Sequence, residues 1–526
     1  MDRLVGYNGL IQTYALPCRP DRTTSRISAR PAVKELHEKA DGSVEVVYPH
    51  QFDFEDSLPK HIEFCLKYEG VNLEVLRTLF ELVGPQPYVD WLAHSPYSGY
   101  ARRAACLFEW LTGTALPVPD VTRGPYVDIA NAEQYWLPPG TRVRRFRVNN
   151  NLPGTRDFAP LVRRTTIIDQ FIARDLAGQI KAVLDSIDLP TLARAVDYMY
   201  LSETKSSYGI ERETPTPERA ARFRQLLEAA GQDLPLNEGQ FTQWQNEIME
   251  PARREPGFRT TQNWLGRGGM RYITRADFVP PSPADVRSLM TGLGQFCHLA
   301  SSGMDPVIAA TCAAYGFVFF HPFLDGNGRL HRFLLHHLLR RYGFTPPGVL
   351  VPISAAMYTN ITAYASALKK VSDPVMQMLT YYVDEDGQRI TVTSPQPQSL
   401  YAYFDATSLV EYTYAIIEQA VMKDLPHEVA YLRAYDKAYR RIDGQFDMPH
   451  HELDLYLKIA ADNGGKLSKG KQKSRFPLLS DAQVSAMDAI VSEAFAPLLS
   501  GLLAQKHQQR GLDPNEKQVS YIASSS

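Results

Sequence analysis

The sequence predicts a mainly α-helical protein with several domains. The chain has 526 residues, enough for roughly three or four domains of about 150 residues each. Hydrophobic residues make up 44% and charged residues 22%, which is typical of a folded globular chain and excludes wholesale disorder. Most long segments repeat their hydrophobic residues at helical spacing, whereas segments with the alternation of a strand are few and short.

Helical periodicity runs through much of the chain. The predicted helical segments are residues 61–83, 100–111, 169–199, 216–230, 282–299, 306–320, 329–342 and 409–441. Thr216, Pro217 and Glu218 mark one start, because they offer an N-cap, a proline at the first helical position and an acid in the first turn. Extended structure is predicted at residues 44–48, at 142–148 and in a glycine-rich hairpin at 260–279.

Two changes in composition indicate domain boundaries. A polar stretch at residues 149–154 precedes one boundary near residue 164, and a Ser-Pro-Gln-Pro run at 394–397 marks a second. We therefore predict a mainly helical N-terminal domain at 1–164, a central core at 165–395 and a helical C-terminal domain at 396–526. A winged helix is an alternative for the C-terminal domain.

Charge and targeting signals exclude several classes of protein. Lys and Arg number 56 and Asp and Glu 58, so the net charge of −2 gives no overall attraction to nucleic acid or anionic lipid. No apolar run approaches the roughly 20 residues of a membrane span, and the N-terminus lacks the features of a signal peptide. Five scattered cysteines argue against a disulfide framework and a zinc ribbon. We expect a cytoplasmic protein.

The residues best suited to chemistry lie at 321–332, in the sequence His-Pro-Phe-Leu-Asp-Gly-Asn-Gly-Arg-Leu-His-Arg between two predicted helices. Pro322 disfavours helical backbone at the residue before it, so the turn starts at His321. Gly326 and Gly328 permit a tight turn whose uncovered amides, at the start of the next helix, favour binding of a phosphate.

The side chains of this segment suit phosphate chemistry. Arg329 and Arg332 share one helical face and can grip a polyphosphate together. Asp325 offers a hard carboxylate for Mg²⁺, and His321, with an ordinary pKa of about 6.5, can accept a hydroxyl proton near neutrality. Singly, each residue type is more often structural, but the combination within twelve residues favours a catalytic site.

This segment resembles the motif of the Fic family, His-x-Phe-x-Asp/Glu-Gly-Asn-Gly-Arg-x-x-Arg, at every defining position. The resemblance implies a protein adenylyltransferase that transfers AMP from Mg-ATP to a Ser, Thr or Tyr hydroxyl of a target protein. It implies His321, Asn327 and Arg329 as catalytic residues, with His321 as the base, and Asp325 as the Mg²⁺ ligand. The implied nucleotide-binding residues are Asp325, Gly326, Asn327, Gly328, Arg329, Arg332, Leu265, Gly266 and Tyr364.

Residues 207–211 resemble the family's inhibitory helix, with the pattern Ser/Thr-x-x-x-Glu. The resemblance implies that Ser207 and Glu211 are regulatory, and that Glu211 pairs with Arg332 in competition with the γ-phosphate of ATP. Arg212 departs from the Gly or Asn that follows this glutamate in the family. An ordinary surface acid is the alternative interpretation of Glu211.

Residues 260–279 resemble the family's flap hairpin, whose exposed edge would accept a segment of the target protein as an added strand. Tyr364 resembles the aromatic residue that faces the adenine, although a core tyrosine is equally consistent with its sequence. Residues 61–82, 100–113 and 412–495 resemble the helical N- and C-terminal regions of larger bacterial Fic proteins. Relatives often dimerise, so a homodimer is open.

The sequence is also compatible with other functions. The same scaffold could use UTP, GTP or CDP-choline as donor, or remove AMP from a modified protein. A different class is a DNA-binding regulator with a nucleotide-sensing Fic core. It would act through residues 466–475, which carry five positive charges, although such a run is more often a solvated loop.

Overall fold

The computed structural model describes the backbone of residues 3–30, 32–39, 42–266, 276–384 and 389–510, with side chains up to residue 498. Helices account for 58% of the structure, which confirms the mainly α fold. Among the described helices, none is both long and apolar enough to cross a membrane. The five cysteines are buried and unpaired.

The N-terminal region combines helices with two small sheets. Its strands are β1 (Arg3–Val5), β2 (Thr23–Ser28), β3 (Glu35–Glu38), β4 (Val44–Pro49), β5 (Val127–Asp128), β6 (Thr141–Val143) and β7 (Val148–Asn150). The sheets have the orders β1-β2-β4-β3 and β5-β7-β6, with β2 parallel to β4 and β5 parallel to β7. The helices are α1 (Gly6–Tyr14), α2 (Leu58–Phe64), α3 (Leu73–Val83), α4 (Gln86–His94) and α5 (Gly99–Thr112).

The central region is almost wholly helical. Its elements are α6 (Thr166–Ala173), α7 (Leu176–Asp185), α8 (Leu189–Ile210), α9 (Pro217–Glu228), α10 (Glu238–Ile248), α11 (Pro283–Ala300), α12 (Pro306–Phe320), α13 (Asn327–Arg341), α14 (Ile353–Thr359), α15 (Ile361–Gln377), β8 (Tyr381–Val383) and β9 (Ile390–Val392). Residues 307–320 of α12 and 327–339 of α13 are all buried, so these two helices form the centre of the core. Asp305 caps α12 by accepting hydrogen bonds from the amides of Val307 and Ile308, both at 3.0 Å.

Capping side chains divide two of the predicted helices. The segment predicted as one helix at 169–199 forms α6, α7 and the start of α8, because Asp175 and Asp188 each accept a hydrogen bond from a backbone amide three residues on. Asn72 does the same at the start of α3 and interrupts the segment predicted at 61–83. A side chain that caps a new helix thus outweighs a continuous hydrophobic pattern.

The C-terminal region contains α16 (Ser399–Ala402), α17 (Thr407–Gln419), α18 (Leu425–Asp443), α19 (His450–Asp462), α20 (Lys469–Arg475) and α21 (Asp481–Arg510). A wide π-helical turn, Ala420–Asp424, joins α17 to α18. The basic run is helical because Ser468 caps α20. Residues 396–510 contain no strand that could form a wing, so the structure does not agree with the winged-helix alternative.

Buried hydrophobic residues form two main clusters. The first draws on the chain from Tyr7 to Leu432 and the second from Ala434 to Leu498. Within the first, the amides of Ala159 and Leu161 donate to carbonyls of residues 402 and 404, both at 3.1 Å. The N-terminal region is therefore bonded directly to the segment before α17. The domain boundaries near 164 and 395 stay predictions.

Candidate active site

His321 lies at the point where α12 ends. Its backbone is left-handed, with φ 48° and ψ 57°, and Pro322 follows, as the sequence predicts for a helix that stops here. The Nδ1 nitrogen lies 3.3 Å from the carbonyl oxygen of Val318. Because a carbonyl can only accept, Nδ1 carries the hydrogen of that contact and Nε2 is left as the basic nitrogen.

The surroundings of His321 keep its imidazole uncharged. Burial first, and then the positive charge of Arg259, lower the pKa of His321 to about 4, while the Val318 carbonyl and the Asp325 carboxylate act in the opposite direction. An imidazole with this pKa is neutral at pH 7. It can therefore accept a proton from a hydroxyl group without first losing one of its own.

The loop after His321 is closed by its own polar groups. The Asn327 side chain accepts a hydrogen bond from the amide of Phe323 at 3.0 Å and donates one to the carbonyl of the same residue at 2.8 Å. Gly326 has φ 87°, a backbone conformation that favours glycine. The role of Asn327 visible here is to hold the loop in shape.

Several loop amides are already partnered, which differs from the uncovered amides expected from the sequence. The amide of Gly326 donates to Asp325 Oδ1 at 2.6 Å. The amides of Leu324 and Asp325 donate to the carboxylate of Glu255 at 2.9 and 3.3 Å. Burial raises the pKa of Glu255, and these amides act in the opposite direction. The geometry of the loop is therefore already formed, and the Glu255 carboxylate helps to hold it.

Arg329 and Arg332 are both buried, and one carboxylate bridges them. Glu211 Oε2 lies 2.7 Å from Arg329 Nε, and Glu211 Oε1 accepts a hydrogen bond from an Arg332 terminal nitrogen at 2.8 Å. Ser207 accepts two further hydrogen bonds from Arg332, at its hydroxyl (2.8 Å) and its carbonyl (2.7 Å). The contact between Glu211 and Arg332 agrees with the expected pairing, while the contact with Arg329 was not expected.

More acids surround Arg329 than Arg332. Glu213 and Asp325 lie 3.4 and 3.5 Å from its terminal nitrogens, and its guanidinium carbon lies 5.2 Å from the centre of the Tyr208 ring. Burial alone would lower the pKa of Arg329, but Glu211, Glu213 and Asp325 outweigh it and raise that pKa. Arg329 is a permanent buried cation whose charge is met by acids from three places in the fold.

The Glu211 carboxylate also lies against the first turn of α13. A Cβ atom built on Gly328 would come within 2.5 Å of Glu211 Oε1, so only a glycine leaves room for this approach. The start of a helix carries partial positive charge, and here two guanidinium groups add to it. The carboxylate of Glu211 therefore occupies a position that is well suited to an anion.

Asp325 is the residue that fits a magnesium ion. Its Oδ2 atom pairs with Arg253 at 3.0 Å, and its side chain is 16% exposed. The part of the chain that the structure describes holds no group of three or more metal-ligating side chains. One carboxylate beside an anion position fits Mg²⁺, which typically takes its other oxygens from phosphate and water.

The remaining predicted binding residues lie in the flap and on α15. Leu265 pairs with Phe278 in an antiparallel bridge, with N···O distances of 2.8 and 3.1 Å, and Gly266 follows it. The flap between them, 267–275, lies outside the described residues. Tyr364 is buried beside His331 with its ring stacked 6.3 Å away. Its contact with adenine stays a prediction.

Three residues near the site were not predicted from the sequence as site residues: Arg253, Glu255 and Arg259. Arg253 pairs with Asp325, Glu255 accepts from the loop amides, and Arg259 donates to the carbonyl of His321 at 2.8 Å. They are 62 to 72 positions away from their partners in the chain. No spacing or local pattern marks them, because the fold alone brings them to the loop.

The region that matches known proteins includes the motif at residues 321–332. A family model described as the Fic/DOC family matches residues 235–339. A protein adenylyltransferase Fic of Drosophila persimilis is 43% identical over 298 residues, which cover 48% of this chain and 54% of that protein. The corresponding protein of Drosophila grimshawi is 28% identical over 298 residues, covering 48% and 57%. The chain thus spans about half the length of the curated relatives it matches.

Solved structures of two Fic proteins also resemble this chain. A Fic family protein from Desulfovibrio desulfuricans G20 has 19% identity and a TM-score of 0.38, over 60% of this chain and 95% of its own. A Fic domain containing signaling protein from Bacteroides thetaiotaomicron has 19% identity and a TM-score of 0.36, over 50% and 96%. Scores of this size do not establish a shared overall fold. The family match and the adenylyltransferase relatives confirm the resemblance of the motif, since residues 235–339 match the model of the Fic/DOC family.

Proposed function

We propose that this protein is an adenylyltransferase that moves AMP from ATP to a hydroxyl group of a target protein. The observation that carries the proposal is the pairing of a neutral imidazole, His321, with an anion position formed by Arg329, Arg332 and the start of α13. Relatives named protein adenylyltransferase Fic support the same reaction. A base beside a triphosphate site is what transfer of a nucleotide to a hydroxyl requires.

In the proposed reaction His321 Nε2 takes the proton of the attacking Ser, Thr or Tyr hydroxyl. The hydroxyl oxygen forms a bond to the α-phosphorus, and the bond from that phosphorus to the oxygen of the β-phosphate breaks. Pyrophosphate leaves, and AMP stays on the target. Arg329 and Arg332 bind the charged phosphates, and Asn327, Gly326 and Gly328 shape the loop around them. Mg²⁺ held by Asp325 would neutralise negative charge on the phosphates.

We propose further that the structure represents an inhibited form. Glu211 contacts both motif arginines, so a triphosphate must compete with this carboxylate for the same guanidinium groups. Ser207 adds two hydrogen bonds to Arg332 from the same helix. Removal of Glu211 should free both arginines for the phosphates. Release of α8 is then the step that controls activity.

We propose that the target segment docks on the flap at residues 260–279, that Leu265, Gly266 and Tyr364 contact the nucleotide, and that the protein is cytoplasmic and bacterial. The domains at 1–164, 165–395 and 396–526 are proposed as units of this enzyme. A homodimer and a DNA contact through residues 466–475 stay predictions.

The experiment is incubation of the purified chain with ATP labelled at the α-phosphate or, separately, at the γ-phosphate. We expect the α-label to enter protein and the γ-label to stay in solution. The variant His321→Ala should lose incorporation while its unfolding temperature and ATP binding stay close to those of the unmodified chain. Incorporation of the γ-label would indicate phosphorylation and contradict the proposed chemistry.

A further inference from the structure

Arg259 is a buried arginine at the entrance to the flap. Only 4% of the residue is exposed, and it precedes the first flap stem, which we define as residues 260–266. The second stem is residues 276–281. Among the described residues, Arg259 forms no ion pair with a carboxylate, and its guanidinium group donates to backbone carbonyls instead.

Backbone carbonyls from three segments surround its guanidinium group. Nε donates to the carbonyl of His321 at 2.8 Å, one terminal nitrogen donates to Thr261 at 3.0 Å, and the other donates to Pro281 at 2.6 Å. The last nitrogen also lies 3.5 Å from the carbonyl of Phe320. A single side chain therefore contacts the first stem, the second stem and the residue that carries the base.

The backbone near Arg259 adds to this attachment. The amide of Arg259 donates to the carbonyl of Pro322 at 2.8 Å, and the Asn263 side chain donates to the carbonyl of Phe323 at 3.1 Å. The carbonyls of three consecutive residues, 321, 322 and 323, thus all accept hydrogen bonds from the flap side. The orientation of the motif loop and the orientation of the flap are set by the same bonds.

The end of α12 explains how a cation without a nearby acid can be buried here. The carbonyls of Phe320 and His321 lie at the C-terminal end of a 15-residue helix, where the helix dipole is negative. Even so, burial lowers the pKa of Arg259 to about 10, which Tyr401 and Glu255 oppose. A flat group with five donors can serve four carbonyls at once, whereas a lysine ammonium offers three donors from a single point.

We propose that Arg259 is a positioning residue for the transfer reaction, holding both flap stems and the His321 backbone in one arrangement so that a hydroxyl presented on the flap meets the imidazole. The inference rests on the proposed adenylyltransferase function. It deepens that function by naming the side chain that couples target docking to the base.

The charge of Arg259 has a second effect that can be measured without activity. After burial, Arg259 is the next largest influence that lowers the pKa of His321, and the other charged group facing the imidazole is Asp325, which raises it. Glu255 lies near Arg259 and opposes its loss of charge. Removing the charge of Arg259 should therefore raise the titration midpoint of His321. Replacing Arg259 by lysine, which keeps the charge, should not.

The test compares Arg259→Lys, Arg259→Gln and, as a matched control, the exposed Arg254→Gln in the full chain. The His321 midpoint is followed by NMR of ¹³C-labelled histidine, with the signal identified by its loss in His321→Gln. We expect Arg259→Gln to raise the midpoint by about one pH unit, and Arg259→Lys and Arg254→Gln to leave it within a few tenths. Should Arg259→Gln not fold, the transfer rate of Arg259→Lys tests whether Arg259 holds the flap stems and the His321 backbone in place.

Transfer of label from α-labelled ATP provides the second readout. Both Arg259 variants should lose about tenfold or more in kcat with little change in KM for ATP, because the flap no longer holds the hydroxyl against the imidazole. Arg254→Gln should match the unmodified chain. Wild-type kcat in Arg259→Lys, or an unmoved His321 midpoint in Arg259→Gln, overturns the proposal. Absence of transfer in both the unmodified chain and Glu211→Gln would instead contradict the proposed function, while the NMR midpoint still measures the effect of the Arg259 charge on His321.

Discussion

Glu211 is one carboxylate that serves two buried guanidinium groups. Removing it would leave Arg329 with Glu213 and Asp325 alone and would take from Arg332 the carboxylate that it contacts, and a buried charge without a partner is costly. A nucleotide triphosphate would supply the missing negative charge. The stability of the protein should therefore depend on ATP much more when Glu211 is absent than when it is present.

We expect Glu211→Gln to lower the unfolding temperature and to enlarge the rise in that temperature on adding Mg-ATP. Incorporation of α-label into the protein should increase by about tenfold, which corresponds to about 1.4 kcal/mol of competition removed. The exposed Glu218→Gln serves as the control and should change none of these three quantities. An equal rise of the unfolding temperature with Mg-ATP in the variant and in the unmodified chain would contradict competition between Glu211 and the triphosphate.

Arg212, directly after Glu211, has φ 59°. This left-handed backbone costs a residue with a Cβ atom free energy that glycine does not pay. The sequence left open whether Arg212 weakens the contact of Glu211 or alters the turn. In the structure the chain still turns after Glu211, and the amide of Arg212 donates a hydrogen bond to the carbonyl of Gly209 at 3.0 Å.

The matched pair Arg212→Gly and Arg212→Ala tests this strain. Both remove the same charged side chain, but only alanine keeps a Cβ atom at positive φ. We expect the glycine variant to be more stable than the alanine variant by about 1 kcal/mol in urea unfolding, since relief of strain exceeds the added flexibility of the unfolded chain. If the alanine variant proves equally stable, the backbone at this position is not strained.

The residues of the site divide by how far apart they are in the chain. His321, Asp325, Arg329 and Arg332 were predicted because their spacing within one short segment has a chemical meaning. Glu211 was predicted from a second short pattern. Arg259 and Glu255 could not be predicted, because their partners are backbone atoms, and a backbone carbonyl or amide leaves no trace in the sequence.

At the scale of elements, α8 is attached to the core at a second place besides Glu211. Glu203, two turns earlier on α8, is fully buried and accepts hydrogen bonds from the amide of Ser354 at 2.8 Å and from its hydroxyl. Its Oε1 lies 2.8 Å from His336 Nε2 on α13. The three side chains join α8, α13 and α14, so they secure the helix that carries Glu211.

We expect Glu203→Gln to destabilise the protein by about 1–3 kcal/mol, because Glu203 accepts with both oxygens and glutamine has only one. If that oxygen accepts from the Ser354 amide, an NH2 group replaces Oε1 beside the Ser354 hydroxyl and His336. The smaller change Ser354→Ala, which removes only the hydroxyl, should cost about 1 kcal/mol. Urea unfolding measures both. If both variants are as stable as the unmodified chain, the contact between Glu203 and Ser354 does not secure α8.

Elements with a clear start or strong hydrophobicity were predicted well. Helix α9 begins at Pro217 after the Thr216 cap, and α12 agrees with the segment 306–320. Strand β2 was missed because its sequence, Thr-Thr-Ser-Arg-Ile-Ser, is polar although Ser25 and Ser28 are buried. Its place in the sheet depends on β1 and β4, which are distant in the chain, and not on its own alternation.

At the scale of the molecule, two hydrophobic cores meet along α18. The first core ends at Leu432 and the second begins at Ala434, both on that helix. On the side of the first core, α18 packs against α8, where Arg194 pairs with Asp436. The second core, formed by α18, α19 and α21 together with Leu467 and Phe476, is therefore connected to α8 through one shared element.

A cavity in each core should affect different parts of the protein. Leu457→Ala lies in the second core and Leu335→Ala in the first, and each should cost about 2–5 kcal/mol. By calorimetry we expect Leu457→Ala to lower one transition and to leave unchanged the rise that Mg-ATP causes in the other. A single transition lowered equally by both variants would mean that the two cores unfold as one.

The wide turn Ala420–Asp424 between α17 and α18 holds one residue more per turn than an α-helix. Deleting one residue there would close the turn to regular α-helical winding, in which one residue fewer completes the same rotation. Asp436 would still face Arg194, and the second core would keep its azimuth. The wide turn therefore absorbs an additional residue without changing the rotational phase of the helix that follows it.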